Sequence, residues 1–181
     1  MKKILAIVLL FKLLFSADNN LENKNLMELF NGHYYSYICS RRWNYINKYN
    51  NKREDLLSLV AYACLKKRFL TPALDLAKVL KVTKEGRKNA TYIVTLFLMK
   101  KLLIQVLNDN IKIDYIKLPQ IRDNTLGIVF GLIEKGVYEK QDSEIIIKNN
   151  DTVYKVKVSK NGNIIIDTLK NSQLLKREYY W

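Results

Sequence analysis

The spacing of apolar residues changes at Gly136, and that change limits the folds open to this chain. Before Gly136 apolar side chains recur every three or four residues, and after it they alternate. The first pattern buries one stripe of each helix; the second buries one face of each strand. We therefore expect an α+β chain, with a stack of antiparallel helices over residues 34–136. A four-stranded antiparallel β-meander over 137–181 should pack on that stack.

In the helical part, Tyr35, Cys39, Trp43 and Ile46 share one stripe of a helix over 34–49. Leu57, Val60, Ala61, Cys64 and Leu65 share a stripe of a second helix over 53–69, and the polar run NKYNNKRED separates the two. This arrangement predicts a helical hairpin. Thr71-Pro72 predicts the start of a helix that reaches Val82. Thr83 should cap a long helix over 84–108 that is apolar on most sides, the expected central helix. Lys100 and Lys101 interrupt its apolar surface and argue against a membrane span. A shorter helix should follow Pro119, with Asp123 near its cap and Gly136 beyond its end. Its Gly127 and Gly131, four apart, fit either a close helix crossing or a weak helix. LVAYACLKK (59–67) and IVTLFLMKK (93–101) align at an offset of 34 residues, the period of stacked helix pairs, without that repeat's glycine and aromatic positions.

Four strands are expected over 145–148, 152–160, 163–170 and 173–181. Asn149–Asp151, Asn161-Gly162 and Asn171-Ser172 separate them as turns. In TVYKVKVS, Tyr154, Val156 and Val158 face one way and Lys155 and Lys157 the other, so one sheet face must meet the helices.

The N-terminus, MKKILAIVLLFKLLFSA, runs from basic (Lys2, Lys3) through apolar (Ile4–Phe11) to small residues at Ser16 and Ala17. This order reads as a signal peptide over 1–17, cleaved near Ser16-Ala17, followed by a polar lead-in over 18–33. Lys12 and the bulky Phe15 fit the pattern less well, and an uncleaved anchor is the competing reading. The apolar run is shorter than the ~20 residues of an ordinary membrane-spanning helix. Beyond residue 17 the chain carries 28 basic and 17 acidic residues. The basic residues are spread along the chain. With an export signal they point away from nucleic acid; a solvated basic surface is the first reading, and an acidic surface, anionic lipid or anionic envelope polymer is the alternative.

Cys39 and Cys64 lie at equal distances from the Asn50–Lys52 turn, each on an apolar stripe. In an antiparallel hairpin such residues stand at the same height and face each other, which a disulfide requires. Closing this 25-residue loop should stabilise the fold by about 3 kcal/mol. The alternative is a buried pair of thiols. A nucleophilic role for Cys39 fits poorly, because His33, the single histidine, is six residues away at an unfavourable helical spacing. One histidine and two cysteines make no closed zinc site. Glu54, Asp55 and Asp123 sit at helix starts, where capping explains them. No catalytic residue, metal or cofactor is therefore assigned.

Tyr34, Tyr35, Tyr37, Trp43, Tyr45 and Tyr49 exceed what one buried stripe uses, and the sequence closes on Tyr179, Tyr180 and Trp181. Tyrosine and tryptophan mixed with arginine is the composition of binding surfaces. This selects Tyr34, Tyr37, Arg41, Arg42, Tyr45, Tyr179 and Trp181 as the candidate interface. Ordinary packing of helices on the sheet is the competing explanation.

CSRRWNYI (39–46), LLSLVAYACLKK (56–67), KEGRKNA (84–90) and LLKREYYW (174–181) resemble a group of periplasmic proteins of epsilonproteobacteria, over most of the chain after residue 17. No activity is attached to that group, so the resemblance implies no catalytic residues. It implies an accessory role in a cell-envelope machine, the enlarged flagellar motor among them. The expected function is a non-catalytic periplasmic scaffold with a protein partner in the envelope. The alternatives are a periplasmic hydrolase or envelope-polymer binder using the basic surface, and a secreted effector acting on host surfaces.

Overall fold

The computed structural model describes residues 21–50, 52–113 and 117–181. The expected signal peptide, with Ser16 and Ala17, lies outside the described residues. The fold is α+β. Helices α1 (Leu26–Asn31), α2 (Tyr35–Ser40), α3 (Arg42–Tyr49), α4 (Glu54–Lys66), α5 (Leu70–Ala77), α6 (Lys84–Asp109) and α7 (Thr125–Glu134) come first. A sheet follows, made of β1 (Glu139–Gln141), β2 (Glu144–Asn149), β3 (Thr152–Val158), β4 (Ile164–Lys170) and β5 (Gln173–Tyr180). The strands are antiparallel neighbours in chain order.

The sheet thus has five strands where four were expected. The additional strand, β1, is polar and carries no alternation to read. It forms through pairing, Glu139 opposite Ile146 and Gln141 opposite Glu144, and its Lys140 ammonium donates to the carbonyls of Val106 (3.0 Å) and Leu107 (2.8 Å). Those are free carbonyls at the C-terminal end of α6, where a cation is favoured. Between β4 and β5, Asn171 and Ser172 both take positive φ, as a two-residue hairpin turn demands.

The expected helix over 34–49 is broken at Arg41. The Ser40 hydroxyl donates to the carbonyl of Tyr37 (2.9 Å), competing with the helical ladder, and Arg41 leaves helical geometry at φ −94°, ψ 17°. The break resets the phase of α3. Ile46 stays buried, but Trp43, expected inward, is 50% exposed. Helix α5 begins before Thr71-Pro72, at Leu70, and ends at Ala77 rather than near Val82.

There are two cores, and α6 belongs to both. Leu29, Ile38, Cys39, Leu57, Cys64 and Leu76 meet Ile93 in the first; Leu96, Met99 and Leu103 meet α7 and the sheet in the second. By length and mean hydropathy α6 could cross a membrane, but its buried side chains serve these two cores. Thr83 caps α6 as expected, accepting from the Gly86 N–H (2.9 Å).

Gly127 packs against the backbone of Ile121: a Cβ there would lie 2.5 Å from the Ile121 carbonyl oxygen, whereas one on Gly131 meets nothing within 4 Å. The two glycines should therefore respond oppositely to alanine. Gly127→Ala is expected to destabilise by about 1–3 kcal/mol through overpacking. Gly131→Ala should stabilise by up to about 1 kcal/mol through helix propensity. Denaturant melts of the two variants check this.

Candidate functional site

Cys39 and Cys64 are joined as a disulfide, with Cα atoms 5.0 Å apart and both residues fully buried. The bond ties α2 to α4 across the hairpin. Such a bond belongs to an oxidising environment, extracellular or periplasmic.

The aromatic and basic residues of α2 and α3 are largely engaged with one another. Arg41 lies 4.5 Å from the centroid of the Tyr37 ring and pairs with Glu22 (2.6 Å), while the Tyr37 hydroxyl is buried without a partner. Arg42 pairs with Asp75 (2.9 Å) in a part-buried bridge to α5 and lies 5.5 Å from the Trp43 ring. Tyr45 stacks on Tyr49, and Lys24 stands over exposed Tyr34. Tyr179 and Trp181 stack on each other at 6.2 Å, both about half exposed. No hydrogen bond, ion pair or ring contact among the described residues joins the Tyr34–Tyr45 group to the Tyr179–Trp181 pair.

Strand register explains where Tyr179 points. Buried Ile145, Ile147, Val156, Ile164 and Ile166 face the helices. The opposite face carries Ile146 beside Lys155, Lys148 beside Val153, and the cross-strand row Lys157, Ile165, Tyr179. Its charges are mostly matched: Arg177 pairs with Asp167 (2.6 Å), Lys148 with Glu139 (3.3 Å) and Lys157 with Glu144 (3.8 Å). The Arg177 guanidinium holds the Asp167 carboxyl below its ordinary range. Beside this face, at the sheet edge, Leu174 and Leu175 are 53% and 63% exposed.

A second region was not foreseen from sequence. Arg68, at positive φ between α4 and α5, accepts from the Trp181 N–H through its carbonyl (3.1 Å), and Leu70 N–H donates to the Trp181 carbonyl (3.1 Å). The Arg68 guanidinium and the Lys176 ammonium both reach Glu178 Oε1, at 2.5 and 2.9 Å. Burial pushes the Glu178 carboxyl up, but Thr125, Lys176 and Arg68 outweigh it and hold the carboxyl below its usual range. Tyr180 donates to Asn124 Oδ1 (3.1 Å) at the cap of α7, and burial raises its hydroxyl. This clasp joins the helical stack to the edge of the sheet.

Beside the clasp opens a cleft of about 850 Å³, lined by α4, α6, the start of α7 and β5. Phe30, Tyr35 and Tyr62 contribute an aromatic cluster, with Phe30 5.5 Å from Tyr35 and 5.7 Å from Tyr62. Polar groups come from Ser58, Asn89, Tyr92 and Asp123, and the Tyr92 hydroxyl donates to Asp123 Oδ1 (3.0 Å). No protein-family model, curated protein or solved structure matches this chain. One sequence signal did point to the clasp. Alternation along β5 puts Lys176 and Glu178 on the face of Tyr180, and charges at core-facing positions need partners.

Proposed function

We propose that the protein is an exported, non-catalytic interaction component of the periplasm, serving as a scaffold in a cell-envelope machine. The observation that carries this is the half-exposed sheet face and edge bearing Leu174, Leu175, Tyr179 and Trp181 beside a rim of paired charges. Aromatic and aliphatic anchors within a polar rim are the anatomy of a protein interface. The α2–α3 surface supports the reading less, because Arg41, Arg42 and Tyr45 already have internal partners. The disulfide and the leader-like N-terminus support the compartment. The resemblance to periplasmic proteins of epsilonproteobacteria makes the flagellar motor the first machine to test.

The partner occupying this face is a folded protein with apolar pockets for Tyr179 and Trp181. Photocrosslinkers at 175 and 179 in the intact envelope should trap one stoichiometric partner. Trp181→Ala should weaken that partner's binding by about 30-fold, the typical effect of losing a tryptophan anchor. Equal recovery by wild type, Tyr179→Ala and Trp181→Ala would overturn the reading. A second reading, an envelope-polymer binder, is favoured by a separate observation: the cleft beside the clasp, which takes Lys176 and Glu178 from β5 and none of the outward-facing Leu174, Leu175, Tyr179 or Trp181.

A further inference from the structure

The cleft holds groups that neither core uses and that the clasp only partly consumes. Tyr62 is exposed over 43% of its surface while flanked by Phe30 and Tyr35, so its ring stands as a fixed apolar platform. One turn further along α4, the Lys66 ammonium lies 4.9 Å from the Tyr62 ring centroid and has no carboxylate partner among the described residues. Asn89 spends one amide hydrogen on Ser58 (3.0 Å), leaving its carbonyl oxygen and its other amide hydrogen. Asp123 accepts from Tyr92 with one oxygen and keeps the other.

We propose that this cleft binds a short segment of a glycan whose repeating unit carries a carboxylate. This names the ligand class for the polymer-binding reading and rests on it, independently of the sheet face. The cleft's volume falls in the range of about 300–1,000 Å³ typical of ligand pockets. The apolar face of a sugar ring stacks on Tyr62, while neighbouring hydroxyls exchange hydrogen bonds with Asn89 and Asp123, each offering more than one position. The Lys66 ammonium, which stands over the Tyr62 ring, swings to the ring's margin to meet a carboxylate attached to the stacked sugar. Arg68 and Lys176 are both held by Glu178, so Lys66 is the cation left for the ligand. An acidic peptide fits less well: most of the lining comes from side chains of α4 and α6, and the edge strand β5 contributes the side chains of Lys176 and Glu178.

Calorimetric titration of the full chain tests this with three probes: a tetrasaccharide alternating N-acetylglucosamine and N-acetylmuramic acid, chitotetraose, and hexaglutamate. Chitotetraose has the same backbone without the lactyl carboxylate. The carboxylated sugar should bind about tenfold tighter than chitotetraose, the scale of one charge-assisted contact. Lys66→Gln should erase that difference and leave chitotetraose binding unchanged, whereas Tyr62→Ala should weaken both sugars. Both side chains are exposed, and unchanged melting curves establish that the variants are folded. Equal affinity for the two sugars would overturn the carboxylate assignment while keeping polymer binding. Hexaglutamate binding as tightly as the carboxylated sugar would replace the glycan with a peptide. Binding by neither sugar would overturn both.

Discussion

Glu54→Gln lowers the melting temperature by about 6–12 °C, the equivalent of about 3 kcal/mol in a chain of this size. Glu54 is 5% exposed, and its carboxylate accepts from the N–H groups of Lys81 (2.6 Å), Val82 (2.7 Å) and Thr83 (2.7 Å) and from the Thr83 hydroxyl (2.6 Å). A single buried acid at the start of α4 thus shapes the whole entry to α6. Gly86 is part of the same arrangement, because any Cβ there would collide with that carboxylate. Glutamine keeps the shape but turns an amide NH₂ toward backbone donors, leaving buried groups unpaired. Burial would raise the carboxyl, but the Thr83 hydroxyl and the three N–H groups prevail and lower it from 4.5 to about 2. A depressed folded-state value stabilises the fold above the unfolded value. That contribution is therefore present above pH 4.5 and is lost as pH falls through 4.5 toward 2. Thermal melts between pH 2 and 7 should fall more steeply toward acid in wild type than in Glu54→Gln, which keeps only the slope from carboxyls such as Asp167 and Glu178. Parallel curves for the two proteins would remove Glu54 from this role.

Cys39→Ala/Cys64→Ala should cost about 3 kcal/mol from the opened loop alone, with a further loss from the cavities left behind. Reduced wild type should melt close to the double variant. Unfolded, unreduced protein recovered from its native compartment should contain no free thiol, and two free thiols there would refute the bond. Because Cys39 lies before the break at Arg41 and Cys64 near the end of α4, the bond also fixes the phase of α2 against α4. The loss should therefore appear as weakened packing of Ile38 and Leu57, and not as fraying of α3.

The features legible in the sequence were those set by short-range pattern. The change of period at Gly136 separates helices from sheet because side-chain direction repeats locally. The pairing of Cys39 with Cys64 was legible because a hairpin turn puts equidistant residues at one height. Thr83 read as a cap for the same local reason. What escaped was decided by distant partners. Glu54 read as a helix-start acid, but its bonds go to residues 81–83. β1 has no strand pattern and exists through its pairing with β2 and the reach of Lys140 to α6. The turn of Trp43 to the surface follows the break at Arg41, where the Ser40 hydroxyl shares the Tyr37 carbonyl with the Arg41 N–H. The cleft draws on α1, α2, α4, α6, α7 and β5, and no spacing rule connects Tyr62 with Asp123 or Lys176.

The clasp between Arg68 and Glu178 joins groups 110 residues apart in the chain. A loop of that length closes against a larger entropic cost than any hairpin in the molecule. The cleft is bounded by the junction, and its β5 wall, Lys176 and Glu178, is present only when the sheet is docked on the helices. A molecule that touches both walls of the recess therefore favours the docked fold. By mass action it raises the apparent stability of stack and sheet together, even though it touches few of the residues it protects.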